Sequence, residues 1–112
     1  EKIKNKVVDC LEAGQTVGFH GATSGLNTFL HVAGLANNPN IYIYDGDKTK
    51  EDFYLPACSS PIRSPMNIDY SSHSLIVVSA MSFFEQISRF AIDEAGVRKT
   101  KLFPLVGPDP EV

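Results

Sequence analysis

Apolar residues recur every three or four positions from Lys2 to Ala13. Ile3, Val7, Cys10 and Leu11 alternate there with Lys4, Asn5, Lys6, Asp9 and Glu12, which predicts an amphipathic helix stopped by Gly14. The period then shortens. Gln15 to His20 is brief and β-branched at Thr16 and Val17, predicting a strand that runs into the small-residue turn Gly21-Ala22-Thr23-Ser24-Gly25. From Leu26 the helical period returns at Phe29, Leu30 and Ala33, with Thr23 or Ser24 placed to cap the first turn. After the breaker cluster Asn37-Asn38-Pro39-Asn40, Ile41-Tyr42-Ile43-Tyr44 predicts a second strand ending at Asp45. Pro56, Pro61 and Pro65 divide the stretch from Gly46 to His73 into short pieces, one of which predicts a brief strand from Pro61 to Arg63. Segments this irregular are often functional.

Ser74 to Ala80 carries the continuous apolar run Leu75-Ile76-Val77-Val78, as expected of a strand buried on both faces of a parallel sheet. Ser82 stands three residues before Glu85, the spacing of a capping box. It leads into a stripe at Phe83, Phe84, Ile87, Phe90 and Ala91 that predicts a helix stopped by Gly96. Lys101 to Val106 predicts a closing strand, pushed toward a sheet edge by Pro104. Strands alternating with helices predict a small Rossmann-like α/β domain of three layers, with a mostly parallel sheet of four to five strands and right-handed crossovers. Residues 1–112 are read as one domain.

Composition narrows the function classes. With 43% hydrophobic and 21% charged residues, the 112-residue chain is expected to bury a core and is far from the balance of a disordered one. Ten Lys+Arg against thirteen Asp+Glu, a net charge of −3 and no basic block leave no footprint for nucleic acid. The longest apolar run is far below the ~20 residues that cross a bilayer, and no charged-then-apolar leader opens the chain, so a cytoplasmic protein with no membrane partner is expected. Cys10 and Cys58 lack C-x-x-C spacing and are read as one or two buried thiols of a reducing compartment. The chain starts at Glu1, which points to processing or to a piece of a longer protein.

In parallel α/β sheets, ligands settle beyond the carboxyl ends of the strands. That rule gathers the Gly21 to Gly25 turn, Asp45 and the Ser79 to Ser82 turn into one candidate site. Glycines allow close backbone approach, and the N-terminus of the following helix attracts an anion, with hydroxyls added by Thr23 and Ser24. The spacing Gly18-x-x-Gly21-x-x-x-Gly25 is not the dinucleotide fingerprint, so a plain strand-to-helix turn stays open as a reading. Asp45, about 20 residues beyond Gly25, stands where a carboxylate reaches a ribose hydroxyl, or it simply starts the Asp45-Gly46 turn. Lys48 and Lys50 are placed to meet a diphosphate or to solvate their loop. His20 closes the first strand within reach of a ligand, whereas His31 in a helix and His73 in a loop suit structural or solvent roles. Tyr42, Tyr44, Phe83 and Phe84 are read as packing. No nucleophile elbow and no histidine-carboxylate metal spacing occurs, so neither a catalytic residue nor a metal is expected in this chain.

The residues also carry a resemblance. Gly18-Phe19-His20-Gly21-Ala22-Thr23-Ser24-Gly25-Leu26-Asn27-Thr28-Phe29-Leu30 resembles the strand-turn-helix block G-Y-G-A-S-x-x-x-N-T-L-L of the carboxy-terminal domain of S-adenosylmethionine-dependent sugar C-methyltransferases. Asp45 with Lys50, Leu55-Pro56 and Pro61-Ile62 follows that family's D-x-x-x-x-K-x-G-x-x-T-P-G-x-x-x-P-I. Ser79 to Ile87 is similar to its L-A-W-N-F-x-x-E-I, and Leu102 to Leu105 to its closing I-V-P-I-P. The likeness spans Gln15 to Val106. It departs at Asp52 and Ala57, where the family has glycines, and at Met81-Ser82, where it has tryptophan and asparagine.

The resemblance implies the carboxy-terminal domain of a larger enzyme, one that takes a proton beside the ketone of a nucleotide-linked sugar and lets the enolate attack a methyl sulfonium. It implies that S-adenosylmethionine binds to a separate methyl-donor domain and that no cofactor binds here. This domain would pack against the donor domain and help wall the substrate pocket, without activity alone. The substrate-binding residues implied are Gly21, Ala22, Thr23, Ser24, Gly25, Asn27, Asp45, Lys50 and Ser82. The turn and Asn27 would take phosphate or sugar polar groups, Asp45 a hydroxyl, and Lys50 charge. A stand-alone nucleotide or dinucleotide-binding module, or a structural interaction domain, is the alternative reading.

Overall fold

A computed structural model describes residues 2–66, 72–80 and 102–105, together with Ile87, Arg89, Ile92 and Asp93, which are helical. The first helix, α1, spans Lys2–Glu12, and α2 spans Ser24–Val32. Both end in the same way, because Gly14 (φ +78) and Gly34 (φ +74) take the left-handed conformation that turns the chain out of a helix. In α1 the Gln15 N–H reaches the Cys10 carbonyl and the Gly14 N–H that of Leu11; in α2 Leu35 and Gly34 repeat the pattern on Leu30 and His31. The α2 N-terminus is capped by the Thr23 hydroxyl, which accepts from the Leu26 N–H at 3.1 Å. This helix starts two residues earlier than the apolar spacing alone predicts, because the cap and not the first leucine sets the boundary.

Five strands follow the predicted order: β1 (Val17–His20), β2 (Ile41–Tyr44), β3 (Ile62–Arg63), β4 (Leu75–Val78) and β5 (Leu102–Pro104). They form one all-parallel sheet in the order β3-β2-β1-β4-β5. The protein is thus a small Rossmann-like α/β domain, with β1 central between β2 and β4. The predicted start of the helix after β4, including Ser82, lies outside the described residues.

The strand period of two divides the sheet into unlike faces. Val17, Phe19, Ile41, Ile43, Leu75, Val77 and Phe103 join Val7, Leu26 and Leu30 of the helices in one buried cluster. Each such side chain contributes about 1.5–3 kcal/mol when fully buried. The alternate positions, Gly18, His20, Tyr42, Tyr44, Ile76 and Val78, belong to the other face. There His73, only 2% exposed, lies 2.8 Å from the Thr16 hydroxyl through Nδ1 and 2.6 Å from the Tyr44 hydroxyl through Nε2. Of its two expected roles, the structural one holds and the solvent one does not. Its ring also lies 4.9 Å from that of Tyr42, over which the Arg63 guanidinium stacks. Cys10 and Cys58 are free, and burial raises both thiol pKa values above the usual range, helped at Cys10 by the neighbouring Asp9 charge.

Between β2 and β3 the chain makes a short 3-10 turn, Lys48–Lys50, and then folds over the sheet edge. The Asp52 and Phe53 backbone bonds to Ile62 there, and Tyr54 bridges Pro61. Asp52 (φ 69) and Ala57 (φ 56) are the described non-glycine residues with positive φ, and these are the two positions at which the resembled family carries glycine. The departures therefore change the side chain and keep the backbone. Aspartate tolerates this region and alanine resists it, so Ala57→Gly is expected to raise stability by up to about 1 kcal/mol, read as a higher urea midpoint.

Candidate functional site

The carboxyl ends of β1 and β2 are joined by side chains that clamp one residue. The Ala22 N–H donates to Asp45 Oδ2 at 2.9 Å, and Lys50 Nζ donates to the Ala22 carbonyl at 3.3 Å while lying 3.5 Å from Asp45 Oδ2. The other Asp45 oxygen accepts the Asp47 N–H at 2.9 Å. Asp47 in turn accepts from the Thr49 hydroxyl and N–H, which hold its carboxyl pKa below the usual value. On the opposite side, the Ser79 hydroxyl after β4 donates toward the carbonyls of His20, at 3.1 Å, and Gly21. Gly21 itself has φ +114, and its N–H bonds to the Tyr44 carbonyl at 2.7 Å. Three loops thus converge at one rim, and the turn between β1 and α2 is tied to both its neighbours.

A pocket of about 270 Å³ opens on this rim. It is bounded by His20 at the end of β1, Gly46 and Lys48 after β2, Ser64 and Met66 after β3, and Ile87. His20 is 8% exposed, and burial pushes its pKa down to about 4 against the opposing pull of Asp45. The imidazole is therefore neutral near pH 7, able to donate and accept hydrogen bonds but not to supply charge. Lys48 is exposed and brings the positive charge to the pocket.

The depressed pKa of His20 makes stability pH-dependent. An unfolded His20 takes up a proton near pH 6.5 that the folded one refuses until about pH 4, so stability falls as pH drops through that window and levels off below it. From pH 7.5 to 5 this histidine is expected to remove about 2 kcal/mol. Urea midpoints across this range should flatten in His20→Gln.

Of the residues expected at the site, Gly21, Ala22, Asp45 and Lys50 meet directly. Thr23 caps α2, while Ser24 and Gly25 are exposed in its first turn. Asn27 faces elsewhere: its Oδ1 accepts the Cys58 thiol at 3.4 Å, which ties α2 to the loop before β3. His31 Nε2 donates to the Pro56 carbonyl at 2.9 Å and so does not serve as a base for that thiol, 3.9 Å away. Ser64 and Met66 were missed by sequence reasoning. The irregular proline-divided segment was their one signal, and it named no residue.

Gly21 packs closely on the segment after β4: a Cβ added there would lie 2.7 Å from the Ala80 nitrogen. Among the described residues no group of three or more His, Cys, Asp or Glu could hold a metal, and no helix is long and apolar enough to cross a membrane.

A family model described as the C-methyltransferase C-terminal domain matches residues 1–101, from before α1 to the edge of β5. The chain belongs to this family. No curated protein and no solved structure matches the chain. Membership gives the Gly21 to Gly25 turn, the 3-10 turn and the glycine-like loop at Asp52 and Ala57 a common setting: the methyltransferase domain that carries them is the carboxy-terminal one.

Proposed function

We propose that this C-methyltransferase C-terminal domain forms the substrate-side wall of a larger cytoplasmic enzyme that methylates a nucleotide-linked keto sugar. A separate methyl-donor domain binds S-adenosylmethionine, which supplies the methyl group. The rim pocket is the observation that carries this reading. It combines the Lys48 ammonium, a neutral imidazole and the Ser64 hydroxyl at the carboxyl edge of a parallel sheet, where nucleotides bind in folds of this order.

Lys48 takes diphosphate charge, and His20 and Ser64 offer hydrogen bonds to sugar or phosphate oxygens. Asp45 and Lys50 hold the turn and retain capacity toward ligand, since Asp45 Oδ1 has a second lone pair and the ammonium a third proton. Ser24 and Gly25 present the exposed start of α2 to an anion, with Gly21, Ala22 and Thr23 setting its shape. Asn27, whose Oδ1 is held by the Cys58 thiol, keeps its amide N–H groups for a sugar hydroxyl, and Ser82, in the sequence after β4, adds a hydroxyl. The share of this chain in the reaction is to fix the substrate in line with the donor and to exclude water, which lowers the barrier without a catalytic group of its own. Two free thiols agree with a reducing compartment.

In the full polypeptide that carries this domain, Lys48→Ala is expected to raise KM for the nucleotide sugar about tenfold, the effect of losing one charge-assisted hydrogen bond, with kcat changed less than about twofold. A fall in kcat at unchanged KM would contradict the positioning role.

A further inference from the structure

A second cavity, of about 310 Å³, lies across the sheet from the rim pocket, between α1, α2 and the end of β5. Phe29, Val32, Ala33 and Leu105 give it apolar walls, and Val32 stands 78% exposed at that surface. One feature makes its lining unlike a packing defect: Lys4 reaches it from α1, half-buried, and no carboxylate among the described residues pairs with it. Gly25 and Ser79 border it on the side of the α2 start. The cavity therefore combines an aliphatic and aromatic interior with one positive side chain.

From this combination we infer that the cavity is a binding site for a small monoanion with an aliphatic body, such as a medium-chain carboxylate. The carboxylate pairs with the Lys4 ammonium near the start of α2, and the chain lies along Phe29, Ala33 and Leu105. A neutral apolar ligand would leave the charge unused, and a polyanion would bring more charge than one lysine offers to an interior that is mostly hydrocarbon. Among the described residues the two pockets share no lining residue, although this one borders Gly25 and Ser79 of the carboxyl rim.

Carboxylates from pentanoate to heptanoate, titrated into the full polypeptide that carries this domain with its Ala and Leu methyl groups 13C-labelled, test the inference. The Ala33 and Leu105 signals should shift saturably, with Kd tightening about fourfold per added methylene. Heptanol should bind at least about threefold more weakly than heptanoate, and Lys4→Gln, a change on the outer helix, should abolish that difference. Ala33→Phe should fill the cavity and remove the shifts. Shifts that do not saturate, that are equal for alcohol and acid, or that survive Ala33→Phe would overturn the assignment. So would signals that respond only after residues 106–112 are deleted, since the occupant would then be the chain itself.

Discussion

Replacing Gly21 by valine is expected to destabilise the protein by at least about 3 kcal/mol, because two independent costs fall on one residue. Its φ of +114 lies in a region that a β-branched side chain does not adopt without strain. The added Cβ would also sit 2.7 Å from the Ala80 nitrogen, 2.9 Å from the Ala80 Cβ and 3.0 Å from the Ser79 hydroxyl. Backbone cannot yield as a flexible side-chain end does, so either β1 and β4 separate at their carboxyl ends or the turn reorganises. Gly25 provides the contrast. Its nearest neighbour would be the Thr23 hydroxyl at 3.8 Å, an ordinary contact, and Gly25→Ala should leave stability unchanged or raise it by up to about 1 kcal/mol through helix propensity. Urea unfolding of the two variants checks both statements, and equal midpoints would refute the close-approach account. Weak substrate saturation in Gly21→Val would consequently report a damaged turn as well as a lost contact.

His73→Ala is expected to cost about 4 kcal/mol. The figure adds the cavity left by a buried ring to the loss of its bonds with Thr16 and Tyr44. Tyr44→Phe removes one of those bonds without a cavity and should cost about 1 kcal/mol. Because both changes act on the same contact, the double variant should be less unstable than the sum by about 1 kcal/mol, while additive losses would mean that the 2.6 Å approach contributes nothing. The ring also sits against Gly18, where an added Cβ would lie 2.8 Å from His73 Cδ2, so the central strand and the histidine were fitted to each other.

The sequence displays what periodicity and punctuation control. Alternation at Ile41 to Tyr44 and the apolar run at Leu75 to Val78 require only that each strand face helices, and Gly14 stops a helix through its own φ, so those elements are legible residue by residue. The same locality explains Asp52 and Ala57. Lost glycines in a motif suggest altered ligand contacts, yet both residues keep the left-handed backbone that glycine would supply. Contacts between distant segments are different. Nothing near Asp45 says that its carboxylate will reach Ala22, and nothing near His73, read as a loop histidine, says that it will be enclosed by Thr16, Tyr42 and Tyr44. The rim pocket is hidden for the same reason. His20, Lys48 and Ser64 belong to three segments separated by whole crossovers, and only the strand order β3-β2-β1 brings them to one edge.

Amide hydrogen exchange of the full polypeptide, with and without saturating nucleotide-linked keto sugar, tests the central claim most directly. Substrate should protect the segments that follow β1, β2 and β3, residues 21–25, 45–50 and 64–66, and leave α1 unchanged. Full catalytic turnover with no protection at any of these three segments would contradict a substrate-side role for the domain.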